Sequence, residues 1–123
     1  MTTIPLPFDA PPMTKNKVRR MHYHAEANLR RNTVDAARYA IRAARPEPMV
    51  GANITLHWRV ATRRRQDGDG AQPTLSAAID ALVLEGVLPD DSWVHVVHSG
   101  VTCHPPSDEG PALWLEITPV EDS

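Results

Sequence analysis

Residues 52–60, ANITLHWRV, alternate apolar and polar side chains without interruption: Ile54, Leu56, Trp58 and Val60 point one way, and Asn53, Thr55, His57 and Arg59 the other. A period of two is that of a strand with one buried face. Upstream, residues 25–45 are mostly good helix formers, with Val34, Ala37, Ile41 and Ala44 at spacings of three and four on one face. The prolines of ARPEP end that helix. Downstream, TLSAAIDALVLEG predicts a second helix from Pro73 or Thr74, with Leu75, Ile79 and Leu82 inward and Gly86 as its stop. TIPLP, residues 3–7, reads as a short edge strand, because proline is tolerated only at strand edges or ends. DAPPMTKNKVRRMHYH, residues 9–24, reads as an irregular basic loop. SWVHVVHS, residues 92–99, predicts a strand, GVTCHPPSDEGP a loop, and ALWLEIT, residues 112–118, a last strand alternating Leu113, Leu115 and Ile117 with Trp114 and Glu116. The order β-α-β-α-β-β predicts an α+β fold: one small domain over residues 1–123, with a mixed sheet and two helices.

A chain of 123 residues has room for one modest core and no second domain. No apolar run approaches the length of a membrane span, and the N-terminus lacks the basic and apolar regions of a signal peptide, so the expected location is cytoplasmic, with no membrane partner. The single cysteine, Cys103, excludes an intramolecular disulfide. Charge is divided sharply along the chain. All 13 Lys and Arg residues lie at or before Arg65, against four acids there, Asp9, Glu26, Asp35 and Glu47; from Gln66 onward there are carboxylates and no Lys or Arg. Such asymmetry points to an anionic partner for the first part, or to pairing between the two parts within the fold.

The acids of the second part cluster at Asp67-Gly-Asp69, just after the alternating strand, and at Asp90-Asp91, just before the next one. The two clusters meet if the flanking strands are neighbours. Clustered carboxylates repel one another unless a cation neutralises them. Mg²⁺ suits such a set, because it prefers oxygen ligands and completes its shell with water and phosphate. An EF-hand is excluded: the fifth residue from Asp67 is Ala71 and the twelfth is Ala78. Arg63, Arg64 and Arg65 stand directly before the aspartates, where guanidinium forks fit phosphate oxygens. Lys15, Asn16, Lys17, Arg19 and Arg20, with Arg30 and Arg31, extend a candidate nucleic-acid surface. Arg38, Arg42 and Arg45 read as a solvated helix face. A zinc site from the histidines is disfavoured, since no Cys-x-x-Cys exists and His95 and His98 point to opposite faces of a strand. Cys103 beside His104 reads as an unreactive loop residue.

The run from Arg63 to Val94, RRRQDGDGAQPTLSAAIDALVLEGVLPDDSWV, resembles the core of the RusA family of Holliday junction resolvases, especially its phage-borne members. The shared pattern is a basic run, an Asp-x-Asp turn, a helix with an aspartate in its middle, and Asp-Asp before a strand. PPMTKN, residues 11–16, is similar to the family's Pro-Pro…Asn segment. The resemblance implies a homodimeric, Mg²⁺-dependent endonuclease, with Mn²⁺ as an alternative metal, that binds branched DNA at four-way junctions and nicks two strands symmetrically. By the same resemblance Asp67, Asp69 and Asp91 are the catalytic, metal-binding carboxylates, with Asp90 a further metal ligand and Asp80 acidic support. Two positions depart from the family pattern. Its asparagine after the second aspartate is Gly70 here, and its helix lysine is Ser76, with no Lys or Arg later in the chain to replace it. A second expectation follows: a non-catalytic relative that keeps the fold and binds DNA junctions or a protein.

Overall fold

A computed structural model describes residues 1–62 and 68–120. The central strand is the one that the alternation predicts: β2, Ala52–Arg59, buries Ala52, Ile54, Leu56 and Trp58 and leaves the residues between them half-covered. β4, Ala112–Pro119, runs antiparallel along one side of it, with Leu56 opposite Leu115 and Ile54 opposite Ile117. β1, Thr2–Leu6, pairs antiparallel with the far side of β4 and adds Ile4 and Leu6 to the same apolar face. β3, Val96–His104, pairs parallel with the other side of β2. The order is therefore β1-β4-β2-β3, a four-stranded mixed sheet in an α+β domain, as expected.

Two long helices cover the apolar face. α2, Tyr23–Ala44, presents Val34, Ala37 and Ile41, and α3, Gln72–Leu84, presents Leu75, Ala78 and Leu82. Removing such aliphatic side chains from water contributes roughly 1.5–3 kcal/mol each, which is why the periodicity predicts these faces. Ala44 is the exception, lying exposed at the helix end. There Arg45 turns left-handed at φ 51°, and its N–H still donates to Ile41 O; Pro46 denies the helix any continuation.

Two expectations need correction. The strand expected at residues 92–99 begins later and extends to His104, so Cys103 lies on a strand and not in a loop. His95 and Val96 both donate their N–H to Ser92 O, at 2.9 Å each, which makes residues 92–95 a turn. Every residue of β2 then finds a partner between Val96 and His104. The pattern of residues 100–104 is that of an edge strand, too polar and glycine-interrupted to announce itself.

The basic loop expected at residues 9–24 holds a short helix, α1, Lys15–Arg19, and ends where α2 begins at Tyr23. Thr14 caps α1, its hydroxyl accepting from Lys17 N–H at 3.2 Å. The residue before it is clamped. Met13 N–H donates to Thr74 Oγ1 at 3.1 Å, and the Thr74 hydroxyl donates back to Met13 O at 2.7 Å. Both residues are buried, so this pair of bonds fixes the approach of α1 to the first turn of α3. Thr74→Val keeps the volume and strands two buried backbone groups. It is expected to cost about 1–3 kcal/mol, read as a lowered urea midpoint that Thr74→Ser largely restores.

Candidate functional site

β2, α3 and β3 form a strand-helix-strand unit, and β2 and β3 are neighbours, which is the condition for the two aspartate clusters to approach. A one-turn 3-10 helix, Gly68–Ala71, carries Asp69 and leads directly into α3. It packs beside both β3 and α1. Asp91 lines a cleft of about 250 Å³ together with Gln72, Leu75, Ser76, Ile79, Asp80, Val96 and Ser99. A second hollow, bordered by Asp80, Asp90 and Asp91, adjoins it. Asp80, Asp90 and Asp91 are thus drawn together along the solvent side of α3. Gln72, three residues from Asp69 in sequence, borders the same cleft as Asp91.

The two members of the Asp-Asp pair differ in what they do. Asp90 Oδ1 accepts from the Asp91 N–H at 2.8 Å, which tightens the turn and occupies one carboxylate oxygen. Asp91 is exposed, and its carboxylate has no hydrogen bond or ion pair with any described residue. Among the described residues no group of three or more His, Cys, Asp or Glu is arranged to hold a metal ion. Asp67 lies outside the described residues, as do Arg63, Arg64 and Arg65, and for Asp69 only the backbone is described. Asp80, Asp90 and Asp91 border adjoining hollows without forming a metal-holding group among themselves.

Sequence reasoning puts Arg30 on the basic surface and does not foresee its partners. Arg30, on α2, reaches across to α3 and donates to Ser76 Oγ at 3.3 Å while pairing with the Asp80 carboxylate. A guanidinium therefore stands at the position where Ser76 leaves no charge of its own. The only sequence signal was its place just before the buried stretch of α2, which does not identify a partner on another helix.

Arg38 and Arg42, read as solvated, are engaged. Arg38 Nε donates to Glu85 Oε2 at 2.7 Å, and Arg42 holds both oxygens of Glu85 at 3.0 Å. Hydrogen bonds from Arg42 first, then from Arg38, pull the Glu85 carboxyl down to about 2, and the same carboxylate raises Arg42. With Arg30–Asp80 and Arg59–Glu109, the latter at 2.9 Å, these pairs join the basic first part of the chain to its acidic second part. Pairing within the fold thus absorbs a share of the charge asymmetry. Lys15, Asn16, Lys17, Arg19 and Arg20 lie on and just after α1, on the flank of the 3-10 helix that carries Asp69.

Neither the protein-family models nor the curated proteins compared with the chain include a match to it.

Proposed function

We propose that the chain is a Mg²⁺-dependent, structure-specific endonuclease of RusA type, acting as a homodimer in the cytoplasm of a bacterial or phage-infected cell and nicking four-way DNA junctions symmetrically. The observation that carries this reading is the cleft beside α3. Asp91 lies there with an exposed carboxylate, Arg30 supplies a cation at Ser76 and Asp80, and the basic α1 flanks the segment that holds Asp69. Asp67, Asp69 and Asp91 hold the metal, and Asp90 supports it while closing its turn. When bound, Mg²⁺, with Mn²⁺ as a substitute, would supply Lewis-acid stabilisation of phosphoryl oxygens. The protein's own groups hold and orient. Lys15, Lys17, Arg19 and Arg20, with Asn16 and the arginines at 63–65, seat the phosphate backbone. Arg30 limits the repulsion between Asp80 and the other acids. A dimer brings two such sites to the two strands of one junction.

The deciding experiment incubates the protein with a synthetic four-way junction and with a linear duplex, each with Mg²⁺ and with chelator. Paired nicks in the junction alone, abolished by chelator, are expected. A second reading, a non-catalytic junction-binding or protein-interaction module, is favoured by Gly70 and by the engagement of Arg30 with Asp80, which leaves that guanidinium less free to meet a phosphate. Tight junction binding without cutting selects that module, and absence of both binding and cutting rejects the DNA reading.

A further inference from the structure

We propose that Glu116, His57 and His104 form a proton-governed latch that fastens the edge strand β3 to the rest of the sheet and opens in mild acid. The face of the sheet away from the helices carries Asn53, Thr55, His57 and Arg59 from β2, Trp114 and Glu116 from β4, and His98, Thr102 and His104 from β3. Across it runs a chain of polar contacts. His57 Nε2 lies 3.1 Å from Glu116 Oε1, and His57 Nδ1 lies 2.8 Å from His104 Nε2. The three residues come from β4, β2 and β3 in turn, and among the described residues β3 has no strand partner other than β2.

The chemistry gives the chain a direction. An ionised carboxylate only accepts, so His57 Nε2 carries the hydrogen and its Nδ1 carries the lone pair. His104 Nε2 must then be the donor to His57, which leaves His104 Nδ1 as the basic end. One proton added at His104 Nδ1 lets the Nε2 hydrogen pass across to His57 Nδ1, which leaves the imidazolium on His57 beside Glu116 and every donor still facing an acceptor. A second, on His104 Nε2, sets two N–H groups against each other across 2.8 Å, and the contact cannot survive it. The closed latch therefore takes up one proton, and the open pair takes up two.

The surroundings set which proton is tolerated. On β2, Arg59 stands beside the pair, with its Nη1 on Glu109 and its guanidinium 5.4 Å from the Trp114 ring centre. β3 adds His98, β4 adds Glu116, and the 105–111 connection adds Asp108 and Glu109 around the hollow next to His104. β1 offers Thr3 and Pro5 on this face and no charge. Glu116 balances one imidazolium, Arg59 and Glu109 balance each other, and little remains to balance a second. Trp114 stacks on both imidazoles, at 5.2 Å from His57 and 5.1 Å from His104. Burial first, then His57 and Arg59, holds His104 below the ordinary imidazole value of 6.5. A depressed folded value means that this contribution to stability is present above 6.5 and is lost as the pH falls below it.

The test is amide hydrogen exchange from pH 7.5 to pH 5, corrected for intrinsic rates, with imidazole ¹⁵N spectra of the same samples. Exchange protection at residues 101–104 is expected to fall by up to about tenfold per pH unit once the open pair gains its second proton, while β4 stays protected. His104→Gln, which keeps a neutral donor to His57, is expected to flatten that dependence. The neutral-pH spectra are expected to show the Nε2–H tautomer on both rings. Protection that is flat in the wild type, or that falls equally in His104→Gln, overturns the latch. If the variant does not fold, the tautomers decide: an Nδ1–H form of His57 at neutral pH overturns it, and Nε2–H on both rings upholds it.

Discussion

Asp91→Asn is expected to lower Mg²⁺-dependent nicking of a four-way junction by about 10²–10³-fold, with junction binding unchanged or slightly tighter. Asp91 is a metal ligand under the proposed activity, and its side chain has no part in holding the fold. Its carboxylate is exposed and carries no bond to the described residues, and the turn is held by the Asp91 N–H and the Asp90 side chain. The substitution keeps that backbone N–H, so the turn stays closed. On the proposed function it removes one negative charge from a site that would face phosphate, which favours DNA while weakening the hold on a cation. A gel-shift assay and a nicking assay on the same preparation separate the two effects. Equal nicking by wild type and Asp91→Asn places the chemistry elsewhere.

Arg30→Ala is expected to reduce nicking by about 10²-fold, and adding Ser76→Lys in the same chain is expected to recover much of it. Arg30 touches both Ser76 and Asp80, so the alanine variant takes from Asp80 the cation it is paired with and leaves it among neighbouring acids. Removing one positioned donor from a site that stabilises developing charge costs about 10²–10³ in rate. The second substitution restores a cation one turn from Asp80 on the same helix, where i, i+4 pairs meet. Ser76→Lys alone, with Arg30 still present, is expected to gain little, because two cations then compete for one carboxylate. Nicking assays of the four chains, each checked for an unchanged circular dichroism spectrum, form a cycle that reports the coupling directly. Full activity of Arg30→Ala rejects the assignment.

What could be read from the sequence was the part in which one periodicity dominates. The eight residues of β2 and the alternation of Leu113, Leu115 and Ile117 announce strands buried on one face, and both are where the pattern puts them. β3 was misplaced because an edge strand lies under less constraint: of its residues only Val96 and Val101 pack toward the core, and those around them satisfy no apolar repeat. α1 was missed because it buries no residue and owes its existence to Thr14 and to the Met13–Thr74 bonds, which join positions far apart in the chain. The same limit hid the partners of Arg30, which lie on another helix, and the His57–His104–Glu116 chain, whose meeting depends on strand register. Asp80, Asp90 and Asp91 were found as residues, and their common cleft required the fold.

The strand order has a consequence in time as well as in space. β4, the last described strand to leave a ribosome, is the only described partner of β1 and one of two partners of the central β2. A nascent chain that has finished α3 and β3 can zip β2 to β3, but β1 has no described strand to join until β4 slides in between. Until then Ile4 and Leu6 lack their neighbours, and the basic early residues meet their carboxylates only as the acidic half is synthesised. Closure of the sheet is thus deferred until β4 is synthesised, and a chain halted before β4 is a candidate for chaperone capture, with β1 and the open side of β2 exposed as unpaired edges.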